Sequence, residues 1–448
     1  MTSILGRFFK SNSSRKDEER VYTKEDFDKV FIIPKRVLSS VGIRMTHDIT
    51  DFKAKCWNIV YWLEMTNILL CIPSEFLSMV ETALNATSFR EGAKMFRMIP
   101  CFGTVVLSVF KSMKVKTNRE TFENLHHELR EMWMTGRVTE EEHRIIYPVS
   151  KQVNYIVRGY YWGNNILLTI FLSPPVYFCL RRYFGYDAPM ILPFEYLLPF
   201  NAFQPIVLEI ILLLQIAGAV TVIWSNIAWD MLFCVYIAHV TIQFKLLSRR
   251  VRRLISVRVD RQLVDSYPLA KISQEIVEDS KDVPNGMLQN DWEMTQQGEL
   301  VNIVKTHHKL IRLTADMEAM FSLALLVNFI NSTTIICFCG FCCILLEKWN
   351  EIAYKTFFVT ALSQTWFLCW FGQKLIDSSL GLSQALYECG WYHGCKKTKN
   401  SILIMLVRSQ NFARVTTHGF STISLASYTT IIKTSWSYFT LLYNFYKK

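Results

Sequence analysis

Near its C-terminus the chain reads STISLASYTTIIKTSWSYFTLLYNF, Ser421–Phe445. These 25 residues are enough to cross a bilayer core of roughly 30 Å at ~1.5 Å per residue. The segment differs from a plain anchor because one stripe of it is polar. Thr430, Thr434, Ser437, Leu441, Asn444 and Lys448 follow one another at alternating steps of four and three, so they share one helical face. Hydroxyl and amide groups on that face find no partners in lipid. They either pack against neighbouring helices, where such groups bind helix to helix, or face a water-filled path. The segment alone leaves both open.

Working outward, the rest of the chain is of the same kind. Of 448 residues 51% are hydrophobic and 14% aromatic, while only 19% are charged, a balance that departs from soluble domains. Several runs of about 20 mostly apolar residues predict an all-α membrane protein with seven transmembrane helices. The spans are S1 Trp57–Val80, S2 Ala93–Val115, S3 Tyr160–Leu180, S4 from near Phe203, S5 Met320–Leu346, S6 Thr356–Leu375 and S7, the C-terminal stretch. The net charge of +11 then belongs mainly to cytoplasmic loops and points to no nucleic-acid partner. Twelve Lys and Arg lie between Arg7 and Lys55, and nine between Lys111 and Arg158, whereas the intervening loops are poorer. By the positive-inside rule the N-terminus is intracellular, and seven spans leave the C-terminus outside. The first 55 residues have no apolar h-region, so no cleavable signal peptide is expected. The sequon at Asn85 falls in an outer loop, where glycosylation is expected. The cysteines of the apolar segments have no nearby His, so neither a metal nor any other cofactor is expected, and no disulfide framework emerges.

S4 is too long for a bilayer. Its helical pattern reaches Leu254, about 75 Å if continuous, so its second half should project into the cytoplasm. Leu300–Asp316 is amphipathic and feeds into S5, S6 continues toward Leu386, and Ser401–Val407 forms a further apolar helix. Such apolar faces must be buried in a membrane-proximal bundle or between subunits. Residues 259–298 are polar and read as a mobile loop. Ser173-Pro174-Pro175 should kink S3. Glu64 in S1 and Glu209 in S4 are carboxylates within apolar runs, each a site hypothesis because charge inside a membrane is costly.

Four stretches resemble the insect odorant receptor family. They are His307–Phe341 approaching and entering S5, Leu386–Tyr392 (LYECGWY), Arg408–Phe420 (RSQNFARVTTHGF) and Ser424–Leu442. His418 stands where the family usually has Ala, and Trp436 where Tyr is commoner. The resemblance implies seven helices with an intracellular N-terminus in the plasma membrane of an olfactory sensory neuron. It implies an odorant-gated, nonselective cation channel in which four subunits surround one pore. The partners it implies are a volatile organic odorant, a shared co-receptor subunit in a heterotetramer, the lipid bilayer and the permeating cations. The last helix would line the pore, with Thr434, Ser437, Leu441 and Asn444 facing it. Leu441 aligns with the family's apolar gate and Asn444 with the polar position one turn outward. Extended cytoplasmic helix ends would form an anchor domain. Tyr443 and Asn444 look like those of an odorant-binding, or tuning, subunit.

On that reading the chain divides into a cytoplasmic segment (1–55), a ligand-binding bundle S1–S4 (56–254), a cytoplasmic loop (255–299), S5, S6 and anchor helices (300–420) and the pore helix (421–448). The ligand is expected in an outer-half pocket between S2, S3, S4 and S6. Candidate lining residues are Met98, Phe102, Val105, Phe171, Phe178, Ile206, Glu209, Ile210, Leu213 and Phe357. The alternative is a seven-helix G-protein-coupled-type chemoreceptor, but charge bias favours the opposite orientation and S3 lacks an Asp-Arg-Tyr-type end. A transporter would carry inverted repeats, which the chain does not display. No phosphate loop, metal cluster or nucleophile motif points to an enzyme.

Overall fold

A computed structural model of the chain describes residues 21–44, 52–88, 91, 95–96, 98–194, 196–200, 204–255, 289–345 and 351–447. The helices in order are α1 (Lys24–Ser40), α2 (Phe52–Leu84), α3 (Ile99–Thr117), α4 (Arg119–Glu131), α5 (Glu140–Tyr183), α6 (Pro205–Arg253), α7 (Gln289–Leu345), α8 (Glu351–Glu388), α9 (Lys396–Gln410) and α10 (Leu425–Lys447). Two short strands, β1 (Val21–Tyr22) and β2 (Gly136–Arg137), pair antiparallel with Val21 opposite Arg137. Among the described residues the fold is thus all-α apart from this clasp.

α6 is the mast of the molecule. It packs against α8, α5, α1, α3 and α7, and from Ile227 to Leu247 almost every side chain is buried, Trp229, Phe233, Tyr236 and Phe244 among them. A helix apolar on every face is one that other helices surround. Of the described helices, four are long and apolar enough to cross a bilayer: Lys55–Leu84 of α2, the whole of α5, Ile206–Arg253 of α6 and Gln296–Ile344 of α7. By the same measure α3, with Lys111, Lys114 and Lys116 in its last two turns, does not qualify, nor do α8 and the hydroxyl-rich α10. The exposed sides of α2, α5 and α6 carry a broad apolar surface, including Leu63, Leu70, Trp162, Ile166, Ile206 and Leu213. A surface of that extent is dry in a lipid-facing protein and an aggregation site otherwise.

Several elements differ from expectation. S7 starts as a helix only at Leu425, because Thr416–Thr422 closes a turn with His418 and Gly419 at φ 52° and 83°. The Ser424 hydroxyl then accepts from the Ser427 N–H at 3.4 Å in the first turn. α5 runs unbroken with Pro148, Pro174 and Pro175 inside it, so the prolines at which a kink is expected do not end the helix, and Ser173 donates to the Ile170 carbonyl at 3.3 Å. Its start is set by a capping box in which the Thr139 N–H and hydroxyl both donate to Glu142, at 3.1 and 3.0 Å. Most of the loop expected over 259–298 lies outside the described residues, and from Gln289 that stretch is already α7. The expected starts of S2 at Ala93 and S4 near Phe203 also lie outside them, as does Lys448.

The basic N-terminal stretch holds a helix that charge counting overlooks. Phe27, Val30, Phe31, Val37 and Leu38 of α1 are buried. Their spacing is that of one helical face, and it docks on α6. The Phe31 ring stacks on His239 at 5.5 Å, and Phe27 lies 4.4 Å from the same imidazole. Burial pushes His239 down to about 3 and His126 of α4 to about 4, so both imidazoles are neutral at ordinary pH.

Candidate functional site

Where α2, α3, α5, α6 and α8 converge they leave a cavity. Its volume is about 60 Å³. One water needs roughly 10–15 Å³ by that measure, so there is room for a small organic molecule. The wall is almost wholly apolar. α6 contributes Leu214, Gly218, Ala219, Val222 and Ile223, with Gln215 as the polar member of that face. α2 adds Ile68 and Cys71, α3 Cys101, Thr104 and Val105, α5 Leu167, Leu168 and Phe171, and α8 Phe357. The connection between α5 and α6 closes one side with Phe194 and Tyr196. It is pinned twice. The Gln215 amide exchanges hydrogen bonds with the Phe194 backbone at 3.1 and 3.3 Å, and the Ser74 hydroxyl donates to the Leu197 carbonyl at 2.8 Å.

Val105, Phe171 and Phe357 of the candidate residues line this cavity together. The other candidates stand elsewhere. Ile206, Glu209, Ile210 and Leu213 are exposed on the outer side of α6. Met98 is buried before α3, Phe102 lies 6.1 Å from Phe76, and Phe178 packs on Tyr177. α6 is apolar all round, so its sequence carries no sign of which face turns inward, and the cavity lies two turns deeper than its start. Phe194 and Tyr196 fall in an irregular connection that helical periodicity does not reach. Ile68 and Cys71 belong to α2, which the expected pocket left out. Asn85 is exposed just past the end of α2, and Glu64 accepts from Thr221 at 3.4 Å.

Two turns along the same helices lies a buried polar cluster. Thr104 is followed by Lys111, Ile223 by Asp230 and Phe357 by Gln364, each seven residues on, while Leu167 is preceded by Tyr160. Lys111 pairs with Asp230 at 2.7 Å, with both side chains buried. Asp230 also accepts from the Tyr160 hydroxyl at 2.8 Å and from Gln364 at 2.6 Å. Asn328 of α7 joins by accepting from Gln364 at 3.2 Å and Lys111 at 3.4 Å. The Lys111 ammonium sits 4.8 Å over the Trp229 ring. A buried charge persists only when paired and hydrogen-bonded, and here five helices supply the partners. Thus the walls of the cavity are tied, below it, to the helix that carries α10.

α10 packs on α7 and α8. Ile431, Ser435 and Phe439 form its buried seam, and the Ser435 hydroxyl donates to the Thr333 carbonyl of α7 at 3.2 Å. Thr430, Thr434, Ser437, Leu441 and Asn444 are all exposed, turned away from that seam. Thr430 and Ser437 donate back to the carbonyls of Ala426 and Lys433, at 3.1 and 3.0 Å. The stripe is therefore not used for packing within the subunit. Among the described residues no group of three or more His, Cys, Asp or Glu converges as a metal site would, and all twelve cysteines are free thiols.

The model of the family described as 7tm Odorant receptor matches residues 91–436, more than three quarters of the sequence. The chain belongs to the 7tm odorant receptor family. Similar members include Odorant receptor 85b of Drosophila melanogaster, 23% identical over 428 residues, covering 91% of this chain and 96% of that one. Odorant receptor 13a of the same species is 36% identical over 168 residues, covering 34% of this chain and 40% of the other. Among solved structures, the insect olfactory receptor OR5 from Machilis hrabei in complex with eugenol superposes with a TM-score of 0.73. It shares 14% identity and covers 94% of this chain and 98% of its own, so the fold is common to both. Family membership and the apolar helices together make this receptor a membrane protein.

Proposed function

We propose that the chain is the odorant-binding subunit of a ligand-gated, nonselective cation channel. Seven helices, α2, α3, α5, α6, α7, α8 and α10, cross the plasma membrane of an olfactory neuron with the N-terminus inside. The orientation rests on the excess of Lys and Arg in the N-terminal and α3–α5 segments. Asn85 then lies outside, open to glycosylation. Four subunits, this one beside a shared co-receptor, enclose one pore with their α10 helices. What carries the reading is the placement of the polar stripe: its described members sit on the exposed side of α10, where lipid is the wrong neighbour and a hydrated path the right one. Below the membrane the exposed Leu403, Ile404 and Val407 of α9 offer the apolar face by which the anchor helices hold subunits together.

A volatile, mostly apolar odorant occupies the cavity over Val105, Phe171 and Phe357. It shifts a closed–open equilibrium by as much as it prefers the open form. The Lys111–Asp230 cluster passes a displacement of the cavity walls to α7 and so to α10. The closed pore is plugged by Leu441, because an apolar ring offers no hydrogen bonds in place of hydration and gates by dewetting. Asn444 forms the polar ring one turn outward.

Oocytes co-expressing this chain with a co-receptor test the proposal. A panel of volatile odorants should evoke cation currents that survive blockade of G-protein signalling. Responses abolished by that blockade would favour the G-protein-coupled alternative and overturn the channel reading.

A further inference from the structure

Glu75 belongs to none of the roles above. It is 2% exposed, on the face of α2 that also presents Ile68 and Cys71 to the cavity, one turn beyond Cys71. Among the described residues it has no hydrogen-bond or ion-pair partner. Tyr196 is brought beside it by the Ser74–Leu197 pairing, in which the Leu197 N–H also donates to the Ser74 carbonyl at 3.4 Å. Tyr196 lines the cavity together with Cys71, whose thiol donates to the Asn67 amide oxygen at 4.0 Å, and it lies within electrostatic reach of Glu75 and Cys101. Elsewhere in the wall the polar groups are spent: Gln215 on the Phe194 backbone, and Thr104 on the Pro100 carbonyl at 2.8 Å. Free hydrogen-bonding capacity is therefore concentrated in one corner. A buried polar group without a partner is costly, and a ligand that supplies one is favoured over a ligand that does not.

We infer that the corner where Glu75 and Tyr196 meet, beside Cys71, receives the oxygen of a small alcohol, aldehyde or ketone, while the apolar remainder of the cavity holds its hydrocarbon part. This rests on the cavity being the odorant site. A carboxylic acid group and a phenol each donate and accept, so they match a hydroxyl or carbonyl oxygen without bringing a charge into the bilayer. Among the described residues no Lys, Arg or His lines the cavity to favour an anionic ligand. An ammonium ligand, by contrast, would require ionised Glu75.

The test compares hexanol, hexanal, hexylamine and hexane, and the corresponding octyl series, on the chain co-expressed with a co-receptor. The wild type should prefer the alcohol and aldehyde over the alkane. Glu75→Leu should reduce that preference about tenfold or more, Glu75→Gln should keep most of it, and Tyr196→Phe, which removes only a hydroxyl, should weaken it, all at matched surface expression. Equal shifts for alcohol and alkane in Glu75→Leu and Tyr196→Phe would overturn the inference. So would a dominant response to hexylamine that Glu75→Gln abolishes. Val105→Trp, which fills the cavity, separates the two levels. If it leaves every response intact, the cavity is not the odorant site. If it abolishes all of them while Glu75→Leu leaves the preference unchanged, the cavity stands and the corner does not.

Discussion

Replacing Lys111 with Met removes one partner of the buried pair while keeping most of the side-chain volume. At 2.7 Å two unit charges attract by about 6 kcal/mol at an effective dielectric of ~20, before the cost of taking both from water. That desolvation is why the intact pair adds little net stability. Breaking it is different. Asp230 would keep only the Tyr160 hydroxyl and the Gln364 amide, two neutral donors, and Asn328 would lose its ammonium neighbour. An orphaned buried charge costs about 3–5 kcal/mol. The double variant Lys111→Met, Asp230→Leu leaves no charge behind. Its loss should be smaller by at least ~2 kcal/mol, with the remainder coming from the unpaired Tyr160 hydroxyl and the lost Gln364–Asp230 bond, while Gln364 keeps Asn328. Thermal melting of the detergent-solubilised receptor, followed by size-exclusion fluorescence, reads both, with Lys151→Met as a surface control. The reasoning fails if Lys111→Met melts with the control, or if the double variant is the least stable of the three.

Other consequences are as direct. Leu441→Ser should raise the current without odorant, because a hydroxyl ring stays wet where a leucine ring dries, and unchanged gating and conductance in oocytes would count against a gate there. Gly372→Ala should depress expression and response, since its Cβ would clash with the Ile423 carbonyl oxygen where the chain enters α10; surface labelling measures it. Burial holds the His239 and His126 imidazoles neutral, at about 3 and 4, against ~6.5 in an unfolded chain. Their contribution to stability is whole above pH ~6.5 and is lost as pH falls toward those folded values, by about 2 kcal/mol for each at pH 5. His239→Phe removes an imidazole whose Nδ1 has no partner among the described residues and should therefore lose less on acidification than the wild type, by melting at pH 7.5 and pH 5.

The long helices α2, α5, α6 and α7 are legible in the sequence because each contains a long apolar run. α6 runs to Arg253 because its helical pattern does not stop at the bilayer's edge, and α8 continues past Leu386 for the same reason until Gly390, at φ 68°, ends it. The exposed stripe on α10 is also legible, since hydroxyl groups at steps of three and four stand out against an apolar background. What periodicity cannot supply is the choice of face on a helix apolar all round. Ile206, Ile210 and Leu213 have the composition of a pocket but stand exposed on the outer side of α6. Nor does it give the neighbour of a charge: Lys111 looks like one more basic residue at a membrane edge until α6 places Asp230 against it. α1 is a milder case. Phe27, Val30, Phe31 and Leu38 carry a helical signature, obscured by the basic residues around them.

The most direct measurement is the water accessibility of α10. Single cysteines at Thr434, Ser437, Leu441 and Asn444, and at Ser435 and Phe439 of the buried seam, are treated with a charged thiol reagent with and without odorant. The stripe positions should be modified, with current altered and Ser437 reacting faster when the channel is open, while the seam positions stay protected. Protection of the whole stripe in both states would mean that these helices pack against one another and enclose no path for ions.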